Sequence, residues 1–492
     1  MNNNILSVSY PTTKTHLLPI LEQFSVKITE THNPFRLPVD KLFAMAARVN
    51  KKRSFLFVSK VLGKHIPVNP YTSLLSGAAL AILLYKELVP QAGQQMDELI
   101  GEAVRGLLDP DYAKEAYRKL MDERLAFAFT EPIKFVGFAE TATALGHSMY
   151  RLFDDGASYI HTTREDIPGL RPIIRFEEEH SHAVDHRCYA LDEDAFAGDG
   201  PIVLVDDEIT TGKTTLNIIR DIQEHFPRKQ YVIASLLDWR TDSDEQAFTD
   251  LEAELGITIT PLSLLKGKIE VQGVPILDHA EYAGQAGHPE HAATSMAEVN
   301  KDASGIIDHR FEKDTSGFER VVHSSMSTDG YANTAPYLKY TGRFGLQSAD
   351  NSALDAEITR TAERLNELRS GQRTLVMGTG EFMYIPMRIA AELGPDVYFQ
   401  STTRSPVYPH REEGYGVACG VTYPSPEDST IRNFIYNVDP GQYDEIFVLM
   451  ERESDPERMN PMLEALTRLG CDKVHVVYFN GLTSQESKGA RI

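Results

Sequence analysis

Three cysteines in 492 residues, Cys188, Cys419 and Cys471, are too few and too scattered for a disulfide framework. No C-x-x-C pair occurs, which removes a thiolate zinc site as well. Cations are also scarce. Lys and Arg number 49 against 71 Asp and Glu, a formal charge of −22. Such a surface repels phosphate backbones and argues against nucleic acid as the main partner, although a local basic pocket for a small phosphorylated ligand remains compatible with it. Long apolar runs are missing too. The longest, Leu74–Tyr85, is too short to span a bilayer and contains Ser76 and Gly77, so it is expected as a buried helix. The start, MNNNILSVSYPTTKTH, has no basic segment followed by an apolar one, so no signal peptide is read and a cytoplasmic protein without a membrane partner is expected.

What remains is an ordinary globular composition, 42% hydrophobic and 24% charged, in a chain too long for one ordinary core. Residues 1–125 read as a mixed α/β extension, with a β-rich run in Ser54–Val68, a helix over Ser73–Leu88, and amphipathic helix over Asp97–Phe129 broken near Asp109-Pro110. From Ile133 onward, apolar strands alternate with helices (IKFVGF, ETATALGHSMYRLF, SYIHTT, PIVLV, KTTLNIIRDIQEHF, YVIASLLDW), which predicts a parallel α/β core over 126–265. Residues 266–355 are less periodic and read as an inter-domain region with ordered pieces, notably PYLKYTGRFGL. The helix Ala353–Arg369 then leads into a second α/β stretch, 356–492.

The two α/β stretches resemble each other. FVGFAE (135–140) is matched by VMGTGE (376–381). Each is followed by a helix and an apolar strand ending in Thr-Thr-Arg, at 162–164 and 402–404, and the glutamate-to-threonine separations are 22 and 21 residues. IVLVDDE is matched in place by IFVLMERE, with Glu451-Arg452 expected where the first copy has Asp206-Asp207. Duplication is the favoured reading.

The chemistry concentrates in IVLVDDEITTGKTT, residues 202–215. Four apolar residues form a buried strand, two acids close it, and a short loop enters a helix. Ligands of open α/β sheets gather at such strand ends. Thr210, Thr211, Gly212, Lys213 and Thr214 offer hydroxyls, close backbone approach and a helix N-terminus, which suit a phosphate monoester. Asp206 and Asp207 would repel phosphate. They suit vicinal ribose hydroxyls or a Mg²⁺ ion carried in with the substrate, and no protein-only metal site is expected. Gly212-Lys213-Thr214 could end a Walker A loop, but that motif needs glycine at 207, where an acid stands. An ordinary capped strand-to-helix turn accounts for one threonine and leaves the acid pair unexplained.

IVLVDDEITTGKT is similar, nearly position for position, to the phosphoribosyl pyrophosphate (PRPP) signature of the type I phosphoribosyltransferases. The resemblance implies a Rossmann-like parallel sheet flanked by helices, followed here by a second, degenerate α/β domain. It implies that Asp206 and Asp207 hold the ribose hydroxyls and that Thr210–Thr214 enclose the 5-phosphate. It further implies that Ala139, Glu140, Thr141, Ala142 and Thr143 wrap the pyrophosphate and that Arg164 contacts it. Glu165 stands where relatives often carry a second cation. Between these segments lies EEEHSHAVDHRCY, where such enzymes place a hairpin that closes over substrate. His180, His182, His186 and Arg187 could shield or protonate pyrophosphate there, with His182 the catalytic candidate, or they could decorate a solvated hairpin. A zinc site is disfavoured for want of cysteine and of helical spacing. Trp239 could wall an acceptor pocket or cap the core.

Over most of its length the chain resembles the phosphoribosyltransferase-like proteins with a C-terminal TRSP domain found in bacterial tellurite-resistance (Ter) stress gene clusters, the motif being Thr403–Pro406 here. That implies a Mg²⁺-dependent enzyme making a ribosylated, nucleoside-like metabolite from PRPP and an unidentified acceptor. A homodimer and partner biosynthetic enzymes are further expectations. Glu381 and Arg404 are candidates for a second site. Glu453–Arg458 replaces the phosphate loop in the second copy, so PRPP is assigned to the first alone. A non-catalytic PRPP sensor and a scaffold are the competing classes.

Overall fold

The computed structural model describes residues 14–22, 24–48, 54–122, 132–153, 155–177, 185–273, 306–310 and 317–482; side chains 92–94, 176–177, 185 and 307–310 lie outside it. His180 and His182 therefore lie outside the described residues.

Two sheets organise the chain. The first has eight strands in the spatial order Thr15–Leu21, Phe24–His32, Thr258–Gln272, Gln230–Asp238, Ile202–Ile209, Ile133–Gly137, Ala157–His161 and Leu346–Gln347. Its five central strands are parallel, and the two at its middle, Ile202–Ile209 and Gln230–Asp238, carry the apolar runs IVLV and YVIASLL that strands covered on both faces require. In chain order they run 2-1-3-4-5, so the connection reverses between Ile133–Gly137 and Ile202–Ile209. Both loops leaving that reversal, 138–141 and 210–212, emerge at the carboxyl ends where ligands of such sheets bind. The N-terminal hairpin Thr15–His32 and the linker strand Leu346–Gln347 cap the edges in antiparallel fashion.

The second sheet is parallel throughout, in the order Ile306–Arg310, Val474–Asn480, Glu445–Arg452, Thr374–Gly378 and Val397–Ser401. Its last four strands repeat the 2-1-3-4 order of the first sheet. Each unit also inserts an antiparallel hairpin between its second and third strands, Ile174–Glu177 with Asp185–Cys188 and Gly420–Pro424 with Arg432–Tyr436. Each hairpin bridges the middle threonine of Thr-Thr-Arg, Thr163 to Arg187 and Thr403 to Phe434. The ladder register corrects one expected equivalence. With Gly137 set opposite Gly378, Lys134 pairs with Ile202 while Leu375 pairs with Ile446. Counting forward puts Met450-Glu451, and not Glu451-Arg452, at the places of Asp206-Asp207.

Helices pack where their apolar faces are widest. Pro70–Leu88, capped by the Asn69 side chain accepting from Tyr71 N–H, is buried along most of its length as expected from its sequence. The amphipathic stretch breaks at the expected Asp109-Pro110 into Gly93–Leu108 and Ala113–Asp122. One core cluster runs from Ile20 to Phe479 through both units, with Leu145 and Met149 of the first joining Met383 and Met387 of the second. No helix among the described residues is long and apolar enough to cross a membrane.

Candidate functional site

The acid pair lies at the carboxyl end of Ile202–Ile209, both side chains half-buried. Asp207 N–H donates to Asp206 Oδ1 at 2.9 Å. Burial, with Glu208 beside it, raises the Asp207 carboxyl to about 6. A carboxylate so raised suits a cation or hydrogen-bond donors arriving with a ligand. Oxygen donors of this kind would fit Mg²⁺. Among the described residues no group of three or more His, Cys, Asp or Glu forms a metal cluster.

The loop after the pair turns at Gly212, φ +71°, into the helix Lys213–His225. A side chain there would meet the Phe248 ring at 2.4 Å. Backbone conformation and space both demand glycine, so the loop's shape is written in the sequence. Thr211 Oγ1 accepts from Lys213 N–H at 3.4 Å, and Lys213 is exposed.

The facing loop, 138–143, carries a cis peptide between Ala139 and Glu140. Ala139 N–H donates to Thr162 Oγ1 at 2.9 Å, which ties this loop to the neighbouring strand end. Thr143 Oγ1 donates to Glu140 O at 3.0 Å and to Glu381 O at 3.1 Å. The Glu140 side chain turns to Lys64, 3.3 Å away. Burial alone would raise its carboxyl, but Lys64, Arg404 and Arg164 outweigh burial and hold it below the usual range.

Arg164 follows Thr162-Thr163 at the end of Ala157–His161. Its Nε donates to His186 Nε2 at 3.3 Å. A guanidinium can only donate, so Nε2 accepts, Nδ1 carries the proton, and Nδ1–H donates to Thr162 Oγ1 at 3.2 Å. His186, buried in the hairpin strand, thus links Arg164 back to the 138–143 loop. Of the hairpin residues considered from sequence, His186 and Arg187 are brought here; His182 is outside the described residues.

Glu165 does not pair with Arg164. Its carboxylate enters a buried network that accepts from Arg343 Nη2 at 3.2 Å, Arg452 Nη2 at 2.6 Å and Tyr337 Oη at 2.6 Å. Burial opposes its charge, yet Arg452 and Arg343 hold the carboxyl at about 2. Arg343 also donates to Glu451 at 2.7 Å. Both guanidiniums lie over the Tyr337 ring. Glu165 is therefore a buried anion that binds the units together.

The proposed second-site residues also sit at this junction. Glu381 reaches the first unit, accepting from Thr163 Oγ1 at 2.6 Å and Arg164 N–H at 2.9 Å. Arg404 lies opposite, its backbone N–H donating to Glu140 Oε2 at 3.4 Å. The cavity bounded by Arg404, Glu381, Glu427, Glu451 and Arg343 encloses about 30 Å³, the space of a water or two and far below that of a metabolite. Beside the acid pair, a narrower crevice of about 10 Å³ is lined by Leu42, Phe57, Val61, Leu62, Asp207 and Leu236. Trp239 does not line it. Its indole stacks on Phe57 at 4.8 Å and meets Phe43 edge-on, so it caps the core. Sequence reasoning missed Lys64 and Arg343. Neither sits in a motif, and only the packing of distant segments brings them here.

Residues 42–268 match the family described as "Phosphoribosyl transferase", and residues 340–466 match the family described as "TRSP domain C terminus to PRTase_2". No curated protein sequence matches the chain. Among solved structures it is similar to adenine phosphoribosyl transferase from Trypanosoma brucei in complex with AMP, pyrophosphate and ribose-5-phosphate. That match has 11% identity and a TM-score of 0.27, and covers 51% of this chain and 86% of that one. The adenine phosphoribosyltransferase from Saccharomyces cerevisiae matches at 14% identity and TM-score 0.21, covering 33% and 85%. The enzyme from Giardia lamblia complexed with 9-deazaadenine matches at 16% and 0.21, covering 32% and 83%.

Proposed function

We propose that this chain transfers the phosphoribosyl group of PRPP to an acceptor and releases pyrophosphate. The family match over 42–268 supports phosphoribosyl transfer in general terms. The observation that carries the specific reading is the juxtaposition of two loops at the sheet's reversal point: acids and Thr210–Thr214 on one strand end, Ala139–Thr143 and Arg164 on the others.

In this reading Thr210, Thr211, Gly212, Lys213 and Thr214 hold the 5-phosphate through hydroxyls and the helix N-terminus. Asp206 and Asp207 accept from the ribose hydroxyls, and their negative charge stabilises the positive charge that develops on the ring. Mg²⁺ would arrive on PRPP and could be shared by Asp206 and Asp207. The bond from the anomeric carbon to the pyrophosphate oxygen breaks, the oxygen leaving toward Arg164 and the 140–143 amides, as the acceptor's lone pair forms the new bond to that carbon. The acceptor proton passes to solvent or to a hairpin histidine such as His182. Catalysis is then mainly positioning and charge stabilisation, with no covalent intermediate on the protein. The acceptor would enter beside Asp207 against Phe57, Val61 and Leu236, which favours a flat, partly apolar group. Because that crevice has room for about one water, admitting an acceptor requires Ser59–Leu62 to part from the strand end.

The product is read as a ribosylated, nucleoside-like metabolite, and its place in a stress-response pathway of the tellurite-resistance type rests on the sequence resemblance alone. The test is incubation of the full chain with PRPP, Mg²⁺ and cell extract, with mass spectrometry for a ribosylated product and an assay for pyrophosphate. Asp206→Asn with Asp207→Asn should abolish PRPP binding in calorimetry. Unchanged affinity in that double variant would sink the assignment, and binding without turnover across a broad acceptor set would favour a sensor.

A further inference from the structure

The degenerate unit has lost the phosphate loop yet keeps two sequence features, a Gly-x-Gly-Glu turn and Thr-Thr-Arg. The structure gives both the same use, which is to reach across. Glu381 accepts from Thr163 Oγ1 and Arg164 N–H of the first unit, while its counterpart Glu140 accepts from Arg404 N–H of the second. Inside each unit the same bond recurs, Ala139 N–H to Thr162 Oγ1 at 2.9 Å and Gly380 N–H to Thr402 Oγ1 at 3.0 Å. The helices that follow the two turns, Ala142–Tyr150 and Tyr384–Glu392, pack on each other, with His147 stacked on Tyr384 at 3.6 Å. Residue i touching j while the counterpart of i touches the counterpart of j is the signature of a two-fold interface. Here both halves belong to one chain.

The two crossings are unequal. Glu381 makes bonds of 2.6 and 2.9 Å, whereas Glu140 keeps one of 3.4 Å and spends its other oxygen on Lys64. The firm bonds brace the unit that retains the acid pair and phosphate loop. They fix the Thr163-Arg164 turn from outside, while His186 fixes the Arg164 side chain from within.

We infer that the C-terminal unit is an internal partner subunit, and that Glu381 is a positioning residue that sets the Thr163-Arg164 turn for the pyrophosphate end of PRPP. The inference rests on the transferase reading of the first unit. It predicts a division by ligand part. Ribose 5-phosphate engages only the acids and Thr210–Thr214, whereas PRPP also needs the braced turn.

The test measures calorimetric affinity of the full-length chain for Mg²⁺-PRPP and for ribose 5-phosphate. Glu381→Ala should weaken PRPP at least tenfold and leave ribose 5-phosphate within about twofold. Thr163→Val, which removes the partner of the shorter bond and leaves that from Arg164 N–H, should weaken PRPP selectively but by less, and adding it to Glu381→Ala should cost little more. Glu381→Gln keeps an acceptor for Arg164 N–H and should recover most of the PRPP affinity. Equal weakening of both ligands would mean a merely structural role and overturn the inference, as would an unchanged PRPP affinity. A wild-type chain that binds neither ligand would instead overturn the transferase reading on which the inference stands.

Discussion

Gly212→Ala tests the proposed phosphate loop at the point where the sequence leaves least freedom. Two costs add. An alanine at φ +71° sits in the left-handed region, at about 1–2 kcal/mol. Its Cβ would also lie 2.4 and 2.5 Å from Phe248 Cζ and Cε2, closer than real contacts allow. That ring cannot easily yield. Arg240 lies over it at 4.5 Å and is itself held by two bonds to Asp238 at 2.9 and 2.7 Å, all of it buried. Overpacking of this kind costs about 1–3 kcal/mol, so the sum is about 2–5 kcal/mol. For a chain of 492 residues melting as one unit, each kcal/mol lowers the midpoint by about 1 °C, giving a drop of roughly 2–5 °C by calorimetry. Affinity for PRPP should fall with it, because the loop must move to relieve the clash. Phe248→Ala separates the terms. Alone it should cost about 3–5 kcal/mol, but in the Gly212→Ala background its cost should shrink by the size of the steric term. A midpoint shift below about 1 °C with PRPP binding intact, or strict additivity of the two substitutions, would refute the reasoning.

Two further outcomes follow from the buried charges. Asp207 binds its proton more tightly when folded, about 6 against 3.8, so its contribution favours the native state below 3.8 and is lost as pH rises through 6; ligand that requires the ionised acid is then opposed below pH 6, where PRPP affinity should fall about tenfold per unit. Asp207→Glu or buffer-dependent calorimetry checks this, and a flat affinity from pH 5 to 7 would refute it. Glu165→Gln should destabilise the chain by about 3–5 kcal/mol, because it leaves Arg343 and Arg452 buried without their shared carboxylate; thermal unfolding reads the loss, and a midpoint within 1 °C of wild type would refute it.

The parallel core and the acid-pair strand were legible because their signal is local. Four apolar residues, two acids and a glycine-bearing turn lie in one unbroken segment, and each is dictated by its immediate surroundings. The helix break at Asp109-Pro110 and the buried Pro70–Leu88 helix were legible for the same reason. What could not be read was partnership across hundreds of residues. The role of Glu165 could not be read because its partners, Arg343 and Arg452, lie 178 and 287 residues further along the chain, and no local pattern links them to it. Trp239 could be resolved only when Phe43 and Phe57 were seen against it. The one-residue error in matching Asp206-Asp207 to the second unit arose because both strands are uniformly apolar up to that point; hydrogen-bond register decides what hydropathy cannot.

That corrected register bears on why the second unit no longer looks like a phosphate binder. Met450 takes the place of Asp206, while Glu451 takes that of Asp207 and is spent on Arg343 and Leu338 N–H. Arg452, counterpart of Glu208, is spent on Glu165. In the second unit the corresponding strand end is thus filled by the Glu451, Arg343, Glu165 and Arg452 network, and the cavity left there has room for water only. On the proposed reading, a second unit that binds no PRPP is free to vary except at residues the first unit leans on. Glu381 and the Thr-Thr-Arg turn are such residues, and the helix pair with His147 on Tyr384 fixes the axis between them. On the proposed reading the chain has no need of a second copy to brace the turn at Thr163-Arg164. What an association between chains would add must lie elsewhere on the surface, away from the face already covered by its own C-terminal half.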